Sequence, residues 1–151
     1  MRSLANVTDR NEIMQRLSAL TSSAKRRWGS MTVEEMICHL SDAFLLALGE
    51  RAAKRVKMPV PGKVMKLMAL RIPAPWPPGV QTVEEVRQGG GGTAPTAFEV
   101  DRTRLLGALE RFCASPGLER NPHPFFGAMS RADWMRWGYL HTDHHLRQFG
   151  G

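Results

Sequence analysis

Hydrophobic residues recur at the three- and four-residue spacing of an α-helix in four stretches of the chain. The first predicted helix has Asp9 as its N-cap, and Glu12 completes a capping box three residues later. The second begins with a T-x-x-E box formed by Thr32 and Glu35, and Gly49 is a suitable C-terminal stop. Both starts are predicted from side chains that satisfy the free amides of a first helical turn.

Two further helices are predicted in the second half of the chain. One begins near Asp101 and ends before the Pro116-Gly117 pair, which cannot continue a helix. The other begins after Ser130, has Asp133 at its third position and continues to about Phe149. Strand patterns are weak throughout, so the sequence predicts an all-α fold.

The connection between the second and third helices is long and rich in proline and glycine. We expect a short basic helix at Gly62–Leu70 and a flexible tether at Gly89–Gly92, while Gln81–Arg87 is compatible with a strand or a turn. A crossover of this length lets the second and third helices run parallel. The predicted architecture is therefore a four-helix bundle of up-down-down-up order, with the second and last helices antiparallel.

The chain has 151 residues, enough for one domain with a buried core, and we expect a single domain over residues 1–151. Its longest apolar run, Ala43–Leu48, is too short to cross a bilayer as a helix, and residues 1–15 lack the apolar core of a secretory signal. The two cysteines, Cys38 and Cys113, form no C-x-x-C pair. This usage is typical of a reducing compartment and predicts a cytoplasmic protein whose cysteines are small buried hydrophobes.

The net charge of +7 belongs to one segment. Acidic and basic residues balance over residues 1–50 and over residues 72–151, so the whole surplus lies in Arg51–Arg71, which contains no Asp or Glu. Three interpretations stay open. The segment is a lid whose cations attract an anionic substrate, a nucleic-acid or membrane-surface patch, or a solvated crossover helix whose long side chains cover the bundle.

Three histidines have the spacing of a metal site. His141 and His145 are separated by one turn of the last helix, so both project from one face. His39 lies in the second helix, and if that helix is antiparallel to the last, it comes level with the pair. The three imidazoles then converge. Di-iron bundles need Glu-x-x-His motifs on two helices, and none precedes these histidines.

The neighbours of these histidines have both a functional and a structural interpretation. Glu35, Asp42 and Gln148 can fix an imidazole tautomer or can be ordinary polar helix residues. His144 points to a neighbouring helix or to water, and His123, between two prolines, fixes the entry into the last helix. Aromatic residues of that helix can line a pocket, although core packing is the more common role; they are Trp134, Trp137 and Tyr139.

Four motifs are distinctive: W-G-S-M-T at residues 28–32, M-I-C-H-L at 36–40, H-P-F-F-G at 123–127 and H-T-D-H-H-L-R-Q-F at 141–149. From about Leu17 to Gly151 the chain resembles the DinB-like (YfiT-like) superfamily, most closely a bacterial branch that is a domain of unknown function. The resemblance is weaker over residues 51–97. It implies an up-down-down-up bundle, often dimeric, whose metal ligands are His39, His141 and His145.

Members of that superfamily include thiol-dependent transferases and isomerases that use bacillithiol or mycothiol, and a domain of ergothioneine-forming enzymes. The resemblance therefore implies a small-molecule substrate, such as a low-molecular-weight thiol. Three neutral histidines leave a coordination position open and suit a divalent ion, for which we expect zinc or nickel. Such a site supports thiol transfer or hydrolysis. A non-catalytic metal-binding scaffold and a basic nucleic-acid-associated module are the alternatives.

Overall fold

A computed structural model describes residues 1–72, 74–79 and 82–151. Within these residues the chain forms α-helices and short 3₁₀ turns and has no strand, so the all-α prediction is confirmed. No helix of the described chain is long and apolar enough to cross a membrane. The five α-helices are α1 (Val7–Ala19), α2 (Val33–Ala47), α3 (Gly62–Arg71), α4 (Phe98–Ala114) and α5 (Arg131–Gln148).

The start of α1 differs from the prediction. Asn6 is the N-cap, and its side-chain oxygen accepts a hydrogen bond from the backbone amide of Asp9 at 3.1 Å. The carboxylate of Asp9 points toward the residues before the helix and accepts a hydrogen bond from the backbone amide of Ser3 at 2.9 Å. The choice of Asp9 as the N-cap was therefore wrong by three residues. Asn and Asp cap helices about equally well, so residue type alone could not separate them.

The starts of α2 and α5 are as predicted, and these two helices carry the three candidate ligands. Thr32 and Glu35 exchange backbone-to-side-chain hydrogen bonds of 2.8 and 3.2 Å at the start of α2. Ser130 and Asp133 form the same reciprocal pair at the start of α5, with both bonds at 3.1 Å. Each box satisfies two amides that the first helical turn leaves free, which fixes where the helix begins.

Apolar faces of the helices meet in one buried core. α2 packs mainly on α4, where the rings of Phe44 and Phe112 lie 5.0 Å apart, and α1 packs on α5. Gly138 of α5 packs closely against Leu4, which precedes α1, and Phe112 of α4, because a Cβ there would lie 2.8 Å from the first side chain and 3.0 Å from the second. The largest side chain that is fully enclosed is Trp134 of α5. Trp134, Trp137 and Tyr139 all belong to this core.

The connection between α2 and α4 is more ordered than the sequence suggests. The predicted short helix is present as α3, and a 3₁₀ turn forms at Glu84–Val86, whereas Gln81 lies outside the described residues. The glycines at 89–92 do not form a free tether. Instead the amide of Gly91 donates to the carbonyl of Glu84 at 3.0 Å, and a Cβ on Gly91 would lie 2.9 Å from that oxygen. Glycine is needed here for close backbone approach.

Candidate metal centre

His39, His141 and His145 come together between α2 and α5. One ring nitrogen of each lies within 4.8 Å of the corresponding nitrogen of the other two, so the group could hold a metal ion. The ring of His39 is 5.2 Å from that of His141 and 5.0 Å from that of His145. His39 and His145 are buried, and His141 is the partly exposed member through which the group reaches the surface.

The ring of His39 is oriented by a backbone carbonyl from the connection between α2 and α4. Its Nδ1 lies 2.9 Å from the oxygen of Val86. A carbonyl only accepts, so Nδ1 carries the proton, and the neutral ring has its lone pair on Nε2. Val86 and Val83 are buried against Leu46 of α2, which holds the 3₁₀ turn and its carbonyl in place. This hydrogen bond therefore directs Nε2 of His39 toward the other two histidines.

His145 is oriented by an amide that is itself held in one direction. The Nε2 of Gln148 donates to the carbonyl of Trp28 at 2.9 Å, so its Oε1 faces His145. That oxygen lies 2.9 Å from Nδ1 of His145 and can only accept a hydrogen bond from it, so Nδ1 carries the proton. The lone pair of His145 is therefore also on Nε2. In metal sites, the ring nitrogen of a histidine that does not bind the metal typically donates a hydrogen bond to a protein group, which fixes the tautomer.

The third histidine, His141, has no such hydrogen bond within the described chain to fix its ring. The Nε2 of His141 lies 3.3 Å from Nε2 of His39, and its Nδ1 is buried with no hydrogen-bond partner among the described residues. Since Nε2 of His39 carries a lone pair, a neutral His141 can donate to it or can turn its own lone pair toward the same point. In the first arrangement a hydrogen bond between His141 and His39 occupies the lone pair of His39. In the second, His141 provides a third nitrogen lone pair for a cation.

All three rings are neutral at pH 7. Burial lowers the pKa of His39 below the ordinary value of 6.5, and the carbonyl of Val86 only partly opposes this. Burial lowers the pKa of His141 and His145 further, with neighbouring histidines adding to the effect. A neutral imidazole is the form that binds a metal, because its lone pair is free. Protons therefore compete weakly for this site at neutral pH.

The distance between the two closest nitrogens fits a divalent cation. Zinc–nitrogen bonds are about 2.0–2.1 Å, which in a tetrahedral site separates two nitrogen ligands by about 3.3 Å. The Nε2 atoms of His39 and His141 are 3.3 Å apart. The donor set also fits, because three neutral imidazoles are good ligands for zinc, nickel, copper or iron and poor ones for magnesium or calcium.

Aromatic side chains surround the partly exposed edge of the cluster. Trp137 lies 4.9 Å from the ring of His141, and Trp76 lies 6.0 Å from it on the outer side. Trp76 is held by a 2.9 Å hydrogen bond from its Nε1 to the carbonyl of Ala69. His144 is buried between Trp28 and Trp76 and points to neither a helix nor open water. These rings limit the entry of water to the three histidines.

The sequence predicted that the three histidines converge and left the role of Gln148 open, but it missed two contributors. Neither Glu35 nor Asp42 orients His39, because Glu35 belongs to the capping box and Asp42 binds Arg51 and Thr93. The carbonyl of Val86 orients His39 instead. Every residue has a backbone carbonyl, so the sequence cannot identify the one that does so. Trp76 is distant along the chain and stands in a proline-rich stretch, where only its isolated aromatic character distinguishes it.

His123 lies outside the cluster and has a structural environment. Its Nδ1 accepts from the backbone amides of Phe125 and Phe126 at 3.2 and 3.3 Å, and its ring stacks on Phe126 at 4.3 Å. The backbone of His123 also pairs with that of Gly127, which shapes the entry into α5. Burial lowers the pKa of His123 to about 3, so the ring is neutral and its lone pair is already used.

The two cysteines are buried and free, as predicted. Burial raises the pKa of the Cys38 thiol to about 12 and also raises that of Cys113. Neither residue supplies a thiolate at neutral pH, because the charged form is disfavoured in these surroundings.

A family model described as "Protein of unknown function (DUF1569)" matches residues 2–150. The chain therefore belongs to this family. No curated protein and no solved structure matches it. The family description assigns no activity, so a function for the chain rests on the chemistry of the three histidines.

Proposed function

We propose that this member of the DUF1569 family binds one divalent metal ion through Nε2 of His39, His141 and His145 and uses the remaining coordination position for chemistry on a small molecule. The observation that carries the proposal is the direction of the lone pairs. The oxygens of Val86 and Gln148 each accept a hydrogen bond from Nδ1 of one histidine, which leaves two Nε2 lone pairs facing the third ring. Zinc and nickel suit three neutral imidazoles.

A divalent ion in such a site lowers the pKa of water or of a thiol, which supplies a nucleophile near neutral pH. The protein residues keep the ligand rings neutral and oriented, and Trp76 and Trp137 limit competing water. Thiol transfer and hydrolysis are the two reactions that this arrangement favours. We place thiol transfer first, with a low-molecular-weight thiol as the substrate, on the strength of the DinB-like resemblance.

The proposal includes an up-down-down-up four-helix order for α1, α2, α4 and α5, as in DinB-like proteins. Two pairs of contacts support parallel α2 and α4: Cys38 lies beside Asp101 near both helix starts, and Phe44 packs on Phe112 further along. The same order brings α2 and α5 together as antiparallel neighbours. This agrees with the convergence of their histidines.

Contacts of α5 support the same order. Going forward along α2 from His39 to Phe44, the partner in α5 moves backward from His145 to Trp137. Going from the residues before α1 to its last turn, the partner in α5 moves forward, because the amide of Leu4 donates to the carbonyl of Met135 at 3.1 Å and Arg16 bonds Asp143 at 2.8 Å. A cytoplasmic location and a homodimer complete the proposal; the first rests on the two free cysteines and the second on the resemblance.

The main alternative is a metal-binding bundle without catalytic activity. The burial of His39 and His145, together with the cover that Trp76 provides, favours a closed site of this kind. A basic nucleic-acid-associated module is a weaker alternative, because Arg51, Lys66 and Arg71 of the basic segment are engaged by Asp42 and Asp133.

Elemental analysis of untagged protein purified without chelator tests the metal. We expect about one zinc or nickel ion per chain, and less than about a tenth of that in His39→Ala. A wild-type protein that stays empty and takes up neither ion contradicts the proposal.

The visible spectrum of cobalt-substituted protein distinguishes an enzyme from a non-catalytic scaffold. A change in its visible spectrum on addition of azide or a thiol shows an open position, and an unchanged spectrum favours the closed scaffold.

A further inference from the structure

α3 has apolar side chains on both its inner and its outer side. Its lysine Lys66 faces inward, where it bonds the carbonyl of Ala128 at 2.9 Å and the carboxylate of Asp133 at 3.1 Å. Its outer face is apolar, with Val64 45%, Leu67 61% and Met68 55% exposed. Leu70 of the same helix is buried in the core, so α3 presents apolar side chains to the bundle and to the surface. A helix that only covers the bundle would have a polar outer face.

Three more apolar side chains are exposed close to α3 in the sequence. Met58, Val60 and Ile72 are also more than two-fifths exposed, at 42, 41 and 49%. Together with Val64, Leu67 and Met68 they make up most of the large exposed hydrophobic side chains in the described residues. Exposed apolar side chains concentrated in one segment indicate an interaction site, whereas single exposed residues do not. We call these six residues the α3 face.

Positive charge flanks the α3 face. Lys57 and Lys63 are exposed and form no ion pair within the described chain, and Arg71 remains more than half exposed while it bonds Asp133. Residues 51–71 contain no acidic side chain. The surface therefore combines apolar side chains that can be buried with cations that need a negative partner.

We propose that the α3 face docks on an anionic membrane surface, with its apolar residues among the lipid chains next to the headgroups and Lys57, Lys63 and Arg71 at the phosphates. An exposed apolar helix face with flanking lysine and arginine is the pattern of interfacial helices. A second copy of the chain fits less well. A symmetric contact through this face would bring the lysines of two copies together without an acidic partner from the same segment.

Sedimentation with extruded vesicles tests the proposal with the untagged full-length chain. We expect binding to vesicles that contain phosphatidylglycerol and little binding to pure phosphatidylcholine. Binding should weaken when the salt concentration is raised from about 0.1 M to about 0.5 M, because exposed charges are then screened. Lys63→Gln should weaken it about fivefold. The matched control, Lys25→Gln, removes an exposed lysine outside the segment and should leave it unchanged.

A pair of identical substitutions isolates the apolar contribution. Val64 of α3 and Val100 of α4 are both exposed helical valines, at 45% and 54%. Val64→Gln should weaken vesicle binding about tenfold, as expected for loss of one buried aliphatic side chain, and Val100→Gln should not. Circular dichroism checks that both variants are folded, which surface substitutions allow.

Three results would overturn the proposal. One is the absence of binding to either vesicle, or equal binding to both. Another is an equal loss of binding in Val64→Gln and Val100→Gln. The last is a concentration-dependent dimer that Val64→Gln dissociates and Val100→Gln does not, without vesicle binding, because the α3 face would then belong to a second copy of the chain.

Discussion

Two groups of buried histidines lie along α5 and its entry, and they have opposite surroundings. His123 gives its Nδ1 lone pair to two backbone amides and stacks its ring on Phe126. In the cluster, the protonated Nδ1 atoms of His39 and His145 point outward to Val86 and Gln148, and the Nε2 lone pairs of these two rings face inward. Both groups are neutral, since burial lowers the pKa of every one of these rings.

Burial and a lowered pKa therefore do not distinguish a ligand from a packing residue in this protein. The distinguishing feature is whether the bonded Nδ1 accepts, as in His123, or donates, as in His39 and His145. A ring whose lone pair is already accepting hydrogen bonds has nothing to offer a cation, whereas converging lone pairs repel unless a proton or a cation lies between them. Substitutions that remove a ligand, a titrating ring, an acceptor for Nδ1 or a helix cap test this difference.

The largest difference should be seen on adding metal. At a free zinc concentration about a thousand times the dissociation constant, the wild-type free energy of unfolding should rise by about 4 kcal/mol. His145→Ala should gain almost nothing, because one of the three ligands is gone. His123→Asn should keep the full gain, since Asn can still accept from the two amides. Chemical denaturation with and without zinc, followed by chelation, measures each change.

The acid dependence of the metal-free protein should isolate the contribution of His123 to stability. The pKa of His123 is about 3 in the folded protein and about 6.5 unfolded, so the unfolded chain takes up a proton first. Its contribution to stability is complete above pH 6.5 and is lost as the pH falls toward 3. The loss is about 1.4 kcal/mol per pH unit, or about 3 kcal/mol by pH 4.

His123→Asn removes this titration and keeps an acceptor for the two amides. Denaturation of the metal-free protein between pH 7 and pH 4 should then show a slope smaller by about one proton than in the wild type. An identical slope would mean that His123 is protonated in the folded state, contrary to its role as an acceptor.

Gln148 offers a smaller and more selective perturbation. Gln148→Leu removes the acceptor for Nδ1 of His145 and leaves all three ligands in place. Loss of such a partner typically lowers metal affinity about 10- to 100-fold. Competition with a coloured chelator measures the affinity. Gln148→Glu keeps an acceptor and should retain most of the affinity; equal losses in both variants would show that the side chain acts only through packing.

The smallest effect is expected at the capping box of α5. Ser130→Ala removes the acceptor for the amide of Asp133 and should lower the free energy of unfolding by about 1 kcal/mol. Metal affinity should not change, because the ligands lie in the second half of the helix. Thermal unfolding and zinc titration measure the two properties. A parallel fall in affinity would mean that the frayed start of α5 displaces its end.

The sequence predicted the parts of this protein that depend on local side-chain chemistry. The Thr32–Glu35 and Ser130–Asp133 boxes follow directly from residue types at fixed spacing. The one-turn spacing of His141 and His145 likewise places both rings on one face. The convergence of His39 with them needed an assumed helix order in addition, and the structure brings the three rings together.

What the sequence could not predict depends on backbone atoms and distant contacts. The carbonyl that orients His39 comes from residue 86, and every residue has a carbonyl, so no side chain marks it. The outward apolar face of α3 was also hidden. Its pattern of alternating basic and apolar residues is compatible with either orientation, and the contact of Lys66 with Asp133 decides between them.

The hydrogen bond between His39 and Val86 makes the long connection part of the ligand environment. It joins residues 47 positions apart, and the intervening chain includes α3 with its α3 face. Thermodynamic linkage follows from this closure, because whatever favours the ordered connection favours the oriented histidine by the same free energy. A proteolytic cut between α3 and Val86 would leave all three ligands on intact helices, yet it would loosen the one that depends on this tether.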